Sequence, residues 1–253
     1  LHKWEEPALA GAGGSGAVFF GGCTLGCRYC QNAAISGGAV GKATDSAGLR
    51  QLFEDLIAQG AENIDLVTPT HFLPTILPAL SPKLPVPVVY NCGGYERVET
   101  LRALEGCVDI YLPDFKYADA RLAGQLSGAA DYFSVAADAI REMVRQVGAV
   151  RWEGEKVTRG VIIRHLILPG NVENSLRVLD WIGENFAPGE VLVSLMRQYT
   201  PMGGLPAPFD RRVTSEEYDA VLSWMYLNEL EGFTQEAEAA DTGFIPDFLP
   251  GEQ

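Results

Sequence analysis

The sequence predicts an α/β protein, a partial (β/α)6 barrel of the TIM type with mostly parallel strands. Two observations predict it. Strand-sized apolar runs alternate with helix-length amphipathic segments through six β-α units of the 253 residues, and such alternation builds a parallel sheet with helices outside. Residues of special chemistry stand at the C-terminal ends of strand after strand: three cysteines after the first, Thr68 and Thr70 after the second, Asn91 after the third, Asp114 and Lys116 after the fourth, and Gln198 after the sixth. A barrel mouth converges such positions on one site, whereas an open doubly wound sheet spreads them along a crevice. The length fits one such domain over residues 1–253.

In chain order, residues 1–16 read as a lead-in segment rather than an element, and the first strand runs from Ala17 to Phe20. The first clear helix has Thr44 or Asp45 as its cap, repeats Leu49, Leu52, Phe53, Leu56 and Ile57 at helical spacing, and is stopped by Gly60. Strand Asn63–Val67 precedes a Pro-containing helix, Phe72–Leu80, and strand Val86–Tyr90 precedes helix Arg97–Leu104. Strand Val108–Phe115 leads to a helical region whose clearest part is Asp131–Val147. Strand Val161–Leu168, helix Val172–Phe186 and strand Val191–Met196 follow, then the loop PMGGLPAPFD, too rich in Pro and Gly to be regular. A last helix opens on the capping-box pattern Thr214 to Glu217. Residues 231–253 read as an irregular acidic tail, with Ile245, Phe248 and Leu249 as docking residues.

A formal net charge of −14 argues against a nucleic-acid partner, because phosphate backbones are held by clustered Lys and Arg. The longest apolar runs are broken by Gly, Pro or charge, so no membrane span or signal peptide can be drawn, and the chain reads as cytoplasmic. It starts at Leu1 rather than Met, which leaves room for a preceding segment. Of its five cysteines, three crowd one loop while Cys92 and Cys107 stand alone. That is not a disulfide framework; it suits a metal site in a reducing compartment.

The loop is CTLGCRYC, with Cys23, Cys27 and Cys30 spaced C-x3-C-x2-C behind the first strand. The spacing points to an iron–sulfur cluster. Four cysteines saturate a four-iron cluster, whereas three leave one iron open to a reactant, as a catalytic zinc keeps a free position. A zinc knuckle would want a fourth Cys or His nearby, and none stands close to the loop: His2 and His71 are both remote from it in sequence.

CTLGCRYCQN resembles the cluster loop of the radical S-adenosylmethionine superfamily. The stretches HKWEEP, LVTPTHF, DFKY, RHLILPG and QYTPM resemble the group that contains the pyruvate formate-lyase activating enzyme. The resemblance implies a [4Fe-4S] cluster on Cys23, Cys27 and Cys30, and S-adenosylmethionine bound to the open iron. It places Tyr29 against the adenine and Asn32 on the nucleoside side of the loop. Asp114 and Lys116 then meet the methionine carboxylate, Arg164 and Leu166 lie on the strand that contacts the nucleoside, and Thr68, Thr70 and Asn91 complete the cofactor contacts. One departure is clear: the usual Gly-Gly-Glu-Pro after the second strand is replaced by VTPTHFLP, which brings hydroxyls but no carboxylate.

Strand parity adds an independent expectation. Ile162, Arg164, Leu166 and Leu168 share one face while Ile163, His165 and Ile167 share the other, so Arg164 belongs in the lumen, where a buried Arg needs an anion, and His165 faces the helices as a structural residue. His71, Cys92 and Gln198 are the residues left to act at a substrate. The resemblance implies an oxidoreductase in which a deoxyadenosyl radical takes hydrogen from a substrate. That substrate is a protein glycine if the chain activates a glycyl-radical enzyme, and a small molecule or another macromolecule otherwise. A non-catalytic electron-transfer protein is the reading from a different class. The implied partner is a low-potential donor of the flavodoxin or ferredoxin type, landing near Arg28, Lys42 and Arg50.

Overall fold

The computed structural model describes residues 1, 6–11, 13–38 and 40–235. His2 to Glu5 of the HKWEEP stretch, and Ile245, Phe248 and Leu249, lie outside the described residues. The strands are β1 Gly16–Phe19, β2 Ile64–Val67, β3 Val88–Cys92, β4 Ile110–Pro113, β5 Arg151–Glu153, β6 Lys156–Leu166, β7 Leu192–Met196 and β8 Gly232–Thr234. The helices are α1 Pro7–Ala10, α2 Ala33–Ser36, α3 Ser46–Ala58, α4 Leu73–Ala79, α5 Val98–Arg102, α6 Ala120–Ser127, α7 Tyr132–Val147, α8 Val172–Asn185 and α9 Ser215–Leu227.

Strand order in the sheet is β1-β2-β3-β4-β6-β7-β8, every neighbouring pair parallel, with β5 added antiparallel to β6 as a hairpin. The partial barrel is therefore present. Its two faces carry two separate apolar layers. Val89, Ile110, Leu112, Ile162 and Leu192 form the lumen layer, together with Ala8 and Leu9 of α1. The alternate residues Leu66, Tyr90, Tyr111, Ile163 and Val193 pack under the helices. Alternation along each strand thus sorts side chains into lumen and helix layers.

Several caps are those the sequence signals. Asp45 accepts from the Gly48 N–H at 2.8 Å to open α3, and Thr214 and Glu217 close a full capping box on α9. Four expectations change. The lead-in contains α1, whose four apolar residues are too few to show a period. Pro85 and Pro87 have no N–H for a ladder, so β3 starts at Val88 and runs on through Asn91 and Cys92. β6 begins at Lys156: the residues before Val161 are mostly polar and pair with β5, with Val157 alone among Lys156 to Arg159 buried in the lumen layer. The supposed irregular tail opens with β8, where Gly232 pairs with Val193 so closely that a Cβ would lie 1.9 Å from the Val193 carbonyl oxygen. A segment so short and so glycine-dependent carries no strand signal in its sequence.

Candidate active site

At the C-terminal ends of the strands lies a cavity of about 210 Å³. One wall is the cysteine loop, with Cys23, Cys27 and Cys30 all lining it as free thiols. The loop is fixed from three sides. The Leu25 N–H points at Cys23 Sγ at 3.4 Å, the Arg28 N–H donates to the Leu126 carbonyl at 2.8 Å, and Ser127 Oγ lies 3.1 Å from Cys27 Sγ. Burial pushes the Cys27 thiol up, with the Lys116 charge and the Ser127 hydroxyl pulling against it. Tyr29 is buried, tilts against Tyr199 at 5.8 Å between ring centroids, and has its hydroxyl 2.8 Å from that of Tyr117.

The opposite wall is a charged group in the lumen. Arg164 donates from Nε to Asp114 at 2.9 Å and from Nη2 to Asn91 Oδ1 at 2.7 Å. Lys116 Nζ donates to the other Asp114 oxygen. Burial alone would raise the Asp114 carboxyl, but Arg164 and Lys116 outweigh it and hold it below the usual range. Burial likewise opposes the Lys116 charge, and Asp114 and Cys27 more than offset that, so its ammonium titrates above the ordinary value. Arg164 and Lys116 share the Asp114 carboxylate, and the buried Asp65 joins the same group through Asn91, whose amide donates to it at 3.3 Å.

The loop carrying Asp114 and Lys116 is built to stay put. Tyr132 contacts the Gly93 and Asp114 carbonyls, each at 2.8 Å, and accepts from the Lys116 N–H at 3.1 Å. Gly94 sits under this knot with φ +78°, and a Cβ there would lie 2.0 Å from the Asp114 carbonyl oxygen. Asn174 of α8 donates to the Lys116 carbonyl at 3.0 Å and accepts from the Ala118 N–H at 2.8 Å. His165 lies 2.6 Å from the Phe115 carbonyl through Nδ1 and 2.8 Å from Ser175 Oγ through Nε2.

His165 is fully buried and structural, and burial pulls its pKa down to about 4. It is neutral in the fold, donating through Nδ1 and accepting from Ser175. Its folded value is depressed below the unfolded ~6.5, so acid protonates the unfolded chain first. Stability is expected to fall by about 3 kcal/mol as pH drops from 6.5 to 4. Glu96, raised to about 7 chiefly by burial, contributes the opposite slope over 4.5 to 7. The check is urea unfolding across this range for wild type and His165→Gln, whose difference should show the His165 slope; parallel curves would sink the assignment.

Of the expected site residues, Tyr29, Asn32, Thr68, Asn91, Asp114, Lys116, Arg164 and Leu166 line the cavity with the cysteines. Thr70 does not. Its hydroxyl donates to the buried Glu96 at 2.6 Å and accepts from Tyr90 at 3.1 Å, on the helix side of the sheet. The reason is the short 3-10 turn Thr70–Phe72, which carries the chain away from the mouth one residue after Pro69. His71 is off the cavity as well: Nε2 holds the Gly21 carbonyl at 2.7 Å and its ring lies 4.4 Å from Phe72. Gln198 and Cys92 line the cavity and Cys107 does not. Arg50 is taken up by Glu54 and the Ala79 carbonyl, whereas Arg28 and Lys42 are exposed.

Sequence reasoning missed Gln31, whose amide donates to the Gln198 carbonyl at 2.9 Å and ties the cysteine loop to the end of β7. It also missed Ser127 and Tyr132, for which no local pattern gave a signal, and Tyr117, which the DFKY stretch contained without marking its role. Thr68 holds φ +58°, a left-handed conformation costly for a β-branched residue. Such strain persists only where the surrounding structure over-determines it. Thr68→Gly is expected to raise stability by up to about 1 kcal/mol, read as a higher Tm; a lower Tm would show that the strain is not there.

The donor set suits an iron–sulfur group. Three soft thiols stand on one rim of the cavity, the donor type that iron–sulfur groups take. Residues 9–71 match the family described as a 4Fe-4S single cluster domain. An uncharacterized protein of Methanocaldococcus jannaschii is 29% identical over 234 residues, covering 88% of this chain and 64% of that protein. SuiB of Streptococcus suis, solved with S-adenosylmethionine and with its precursor peptide SuiA, superposes with TM-scores of 0.60 and 0.62 at 13% identity, over 88% and 93% of this chain but 51% and 52% of SuiB. A radical SAM methyltransferase from Sphaerobacter thermophilus gives a TM-score of 0.60 at 13% identity, over 87% of this chain and 65% of that one.

The chain shares the fold of SuiB and of the Sphaerobacter radical SAM methyltransferase. The matched cluster domain supports a [4Fe-4S] centre on it, and the partial barrel is the one expected of that fold. The chain spans about two thirds or less of each of these relatives. No helix among the described residues is long and apolar enough to cross a membrane.

Proposed function

We propose that this chain is a radical S-adenosylmethionine enzyme that holds a [4Fe-4S] cluster on Cys23, Cys27 and Cys30 and S-adenosylmethionine in the adjoining cavity. The observation that carries the reading is the meeting of two unlike walls across one cavity, three thiols on one side and the Asp114, Arg164, Lys116 and Asn91 group on the other. When bound, the two cofactors supply a 5′-deoxyadenosyl radical that takes hydrogen from a substrate. The protein's part is to bind, orient and exclude water.

Lys116 and Arg164 offer the cationic contacts for a carboxylate, with Asp114 fixing their positions. Thr68 stands where the usual Gly-Gly-Glu-Pro contact is missing, and its backbone and hydroxyl are the polar groups on offer to an ammonium. Tyr29 and Asn32 serve the nucleoside from the cysteine loop, and Leu166 gives it an apolar contact from β6. Phe20, Ile35 and Val67 shield the remaining wall from water.

For the substrate, we take a protein glycine as the first reading, which makes the chain a glycyl-radical-enzyme activase-like oxidoreductase. Its support is the motif resemblance, and SuiB, of the same fold, was solved with a peptide. An external low-potential donor supplies the electron, with exposed Arg28 on the cysteine loop as its landing point. The test is anaerobic reconstitution, electron paramagnetic resonance with and without S-adenosylmethionine, and 5′-deoxyadenosine measured under dithionite. A spectrum changed by S-adenosylmethionine and deoxyadenosine formation are expected. A cluster indifferent to S-adenosylmethionine, with no deoxyadenosine, would favour simple electron transfer.

A further inference from the structure

Three hydroxyl groups, one of them on the Tyr29 assigned above to the nucleoside, form a line of contacts that ends on a cysteine of the loop. Ser127, the last residue of α6, has Oγ 3.1 Å from Cys27 Sγ. The Tyr117 hydroxyl lies 2.6 Å from Ser127 Oγ, and the Tyr29 hydroxyl lies 2.8 Å from that of Tyr117. Tyr29, Tyr117 and Ser127 are 5%, 0% and 8% exposed, so water is a poor competitor for these contacts. The Arg28 N–H to Leu126 carbonyl bond runs alongside and holds the same two segments together.

Proton counting fixes the direction of the line. Each hydroxyl has one proton to donate, and a metal-bound cysteine is a thiolate with none. As the structure stands the Tyr117 hydroxyl donates to that of Tyr29; once Cys27 is a thiolate and Ser127 gives its one proton to the sulfur, Tyr117 must turn its proton to Ser127 and Tyr29 must donate to Tyr117 for all three contacts to be kept. Aligned hydrogen bonds polarise one another, and more so out of water.

We propose that Ser127, backed by Tyr117 and Tyr29, is a positioning residue that donates a hydrogen bond to the Cys27 thiolate and raises the reduction potential of the cluster. The inference rests on the cluster ligation proposed above. Reduction adds negative charge that spreads onto the thiolate sulfurs, so a donor there stabilises the reduced form more than the oxidised one. The same bond fixes the orientation of Cys27, as outer partners do for other metal ligands.

The test is a redox titration of the reconstituted protein followed by electron paramagnetic resonance, in the absence of S-adenosylmethionine. Ser127→Ala should shift the midpoint to more negative potential, Tyr117→Phe should shift it the same way by less, and Ser127→Thr, which keeps the hydroxyl, should return it toward wild type. Iron–sulfur stretching bands of wild type should also move in deuterated water, and this isotope shift should shrink in Ser127→Ala. An unchanged midpoint in a fully iron-loaded Ser127→Ala protein overturns the proposal. If that variant does not hold iron, Tyr117→Phe decides by the same criterion, because it removes no atom that touches the cysteine. A wild-type protein that takes up no cluster overturns the ligation reading and this one together, whereas a loaded wild type with an insensitive midpoint overturns this one alone.

Discussion

Cys27→Ala is expected to abolish cluster uptake and deoxyadenosine formation together. Cys27 lines the cavity, touched by Ser127 and facing the Lys116 charge. Removing it leaves two thiols for a group that needs three. Outer partners of metal ligands are already worth about 10- to 100-fold, so loss of a ligand should exceed roughly a hundredfold in deoxyadenosine yield and drop the iron content with it. Cys107→Ala is the matched control. Cys107 does not line the cavity, and its variant should keep full iron content and activity. A Cys27→Ala protein that retains both signals would show that the ligands have been misassigned.

Asp114→Asn is expected to produce the second large effect, on stability and on cofactor binding at once. The Asp114 side chain is 13% exposed and serves Arg164 and Lys116, whose side chains are 19% and 14% exposed. The amide keeps the shape but leaves two cations facing each other across a poorly hydrated space. Breaking a buried pair by removing one partner typically costs about 3 to 5 kcal/mol. Partial hydration of the trio argues for the lower end, about 3 kcal/mol, read from urea unfolding. The wild-type carboxyl is depressed, so its contribution is complete above the unfolded value near 3.9 and is lost as pH falls through the lower folded one. Wild type should therefore lose ground to Asp114→Asn only in acid. S-adenosylmethionine affinity, measured on the reconstituted protein, should weaken as Arg164 and Lys116 lose their fixed positions. Equal urea midpoints and equal affinity would remove Asp114 from the site.

The sequence allowed much of this to be read, and the limits have physical causes. Alternation along β6 put Arg164 in the lumen before any coordinate did, because strand geometry has a period of two and leaves no third option. The cysteine loop was legible because three thiols in eight residues have few uses. Thr70 was misplaced because a single turn of 3-10 helix decides which side of the sheet a residue serves, and VTPTH carries no sign of that turn. Glu96 went unread for a related reason: it caps no helix and follows no motif, yet it is buried against Thr70. Ser127 and Tyr132 come from helices that the fold brings back to the mouth over long sequence separations. Such contacts leave no local trace.

The four residues of α1 have a practical consequence at the bench. Ala8 and Leu9 are 5% and 4% exposed, stacked on Val89, Ile110, Leu112, Ile162 and Leu192, and the Leu9 carbonyl is held by Asn63 at 2.8 Å. A truncation begun at Gly16, which the glycine-rich sequence invites, would pull a stopper out of the barrel's floor. Water would then reach the hydrocarbon on which the Asp114 cluster of charges rests. Expression tags and trimmed versions of this chain are best designed to leave residues 6–16 intact.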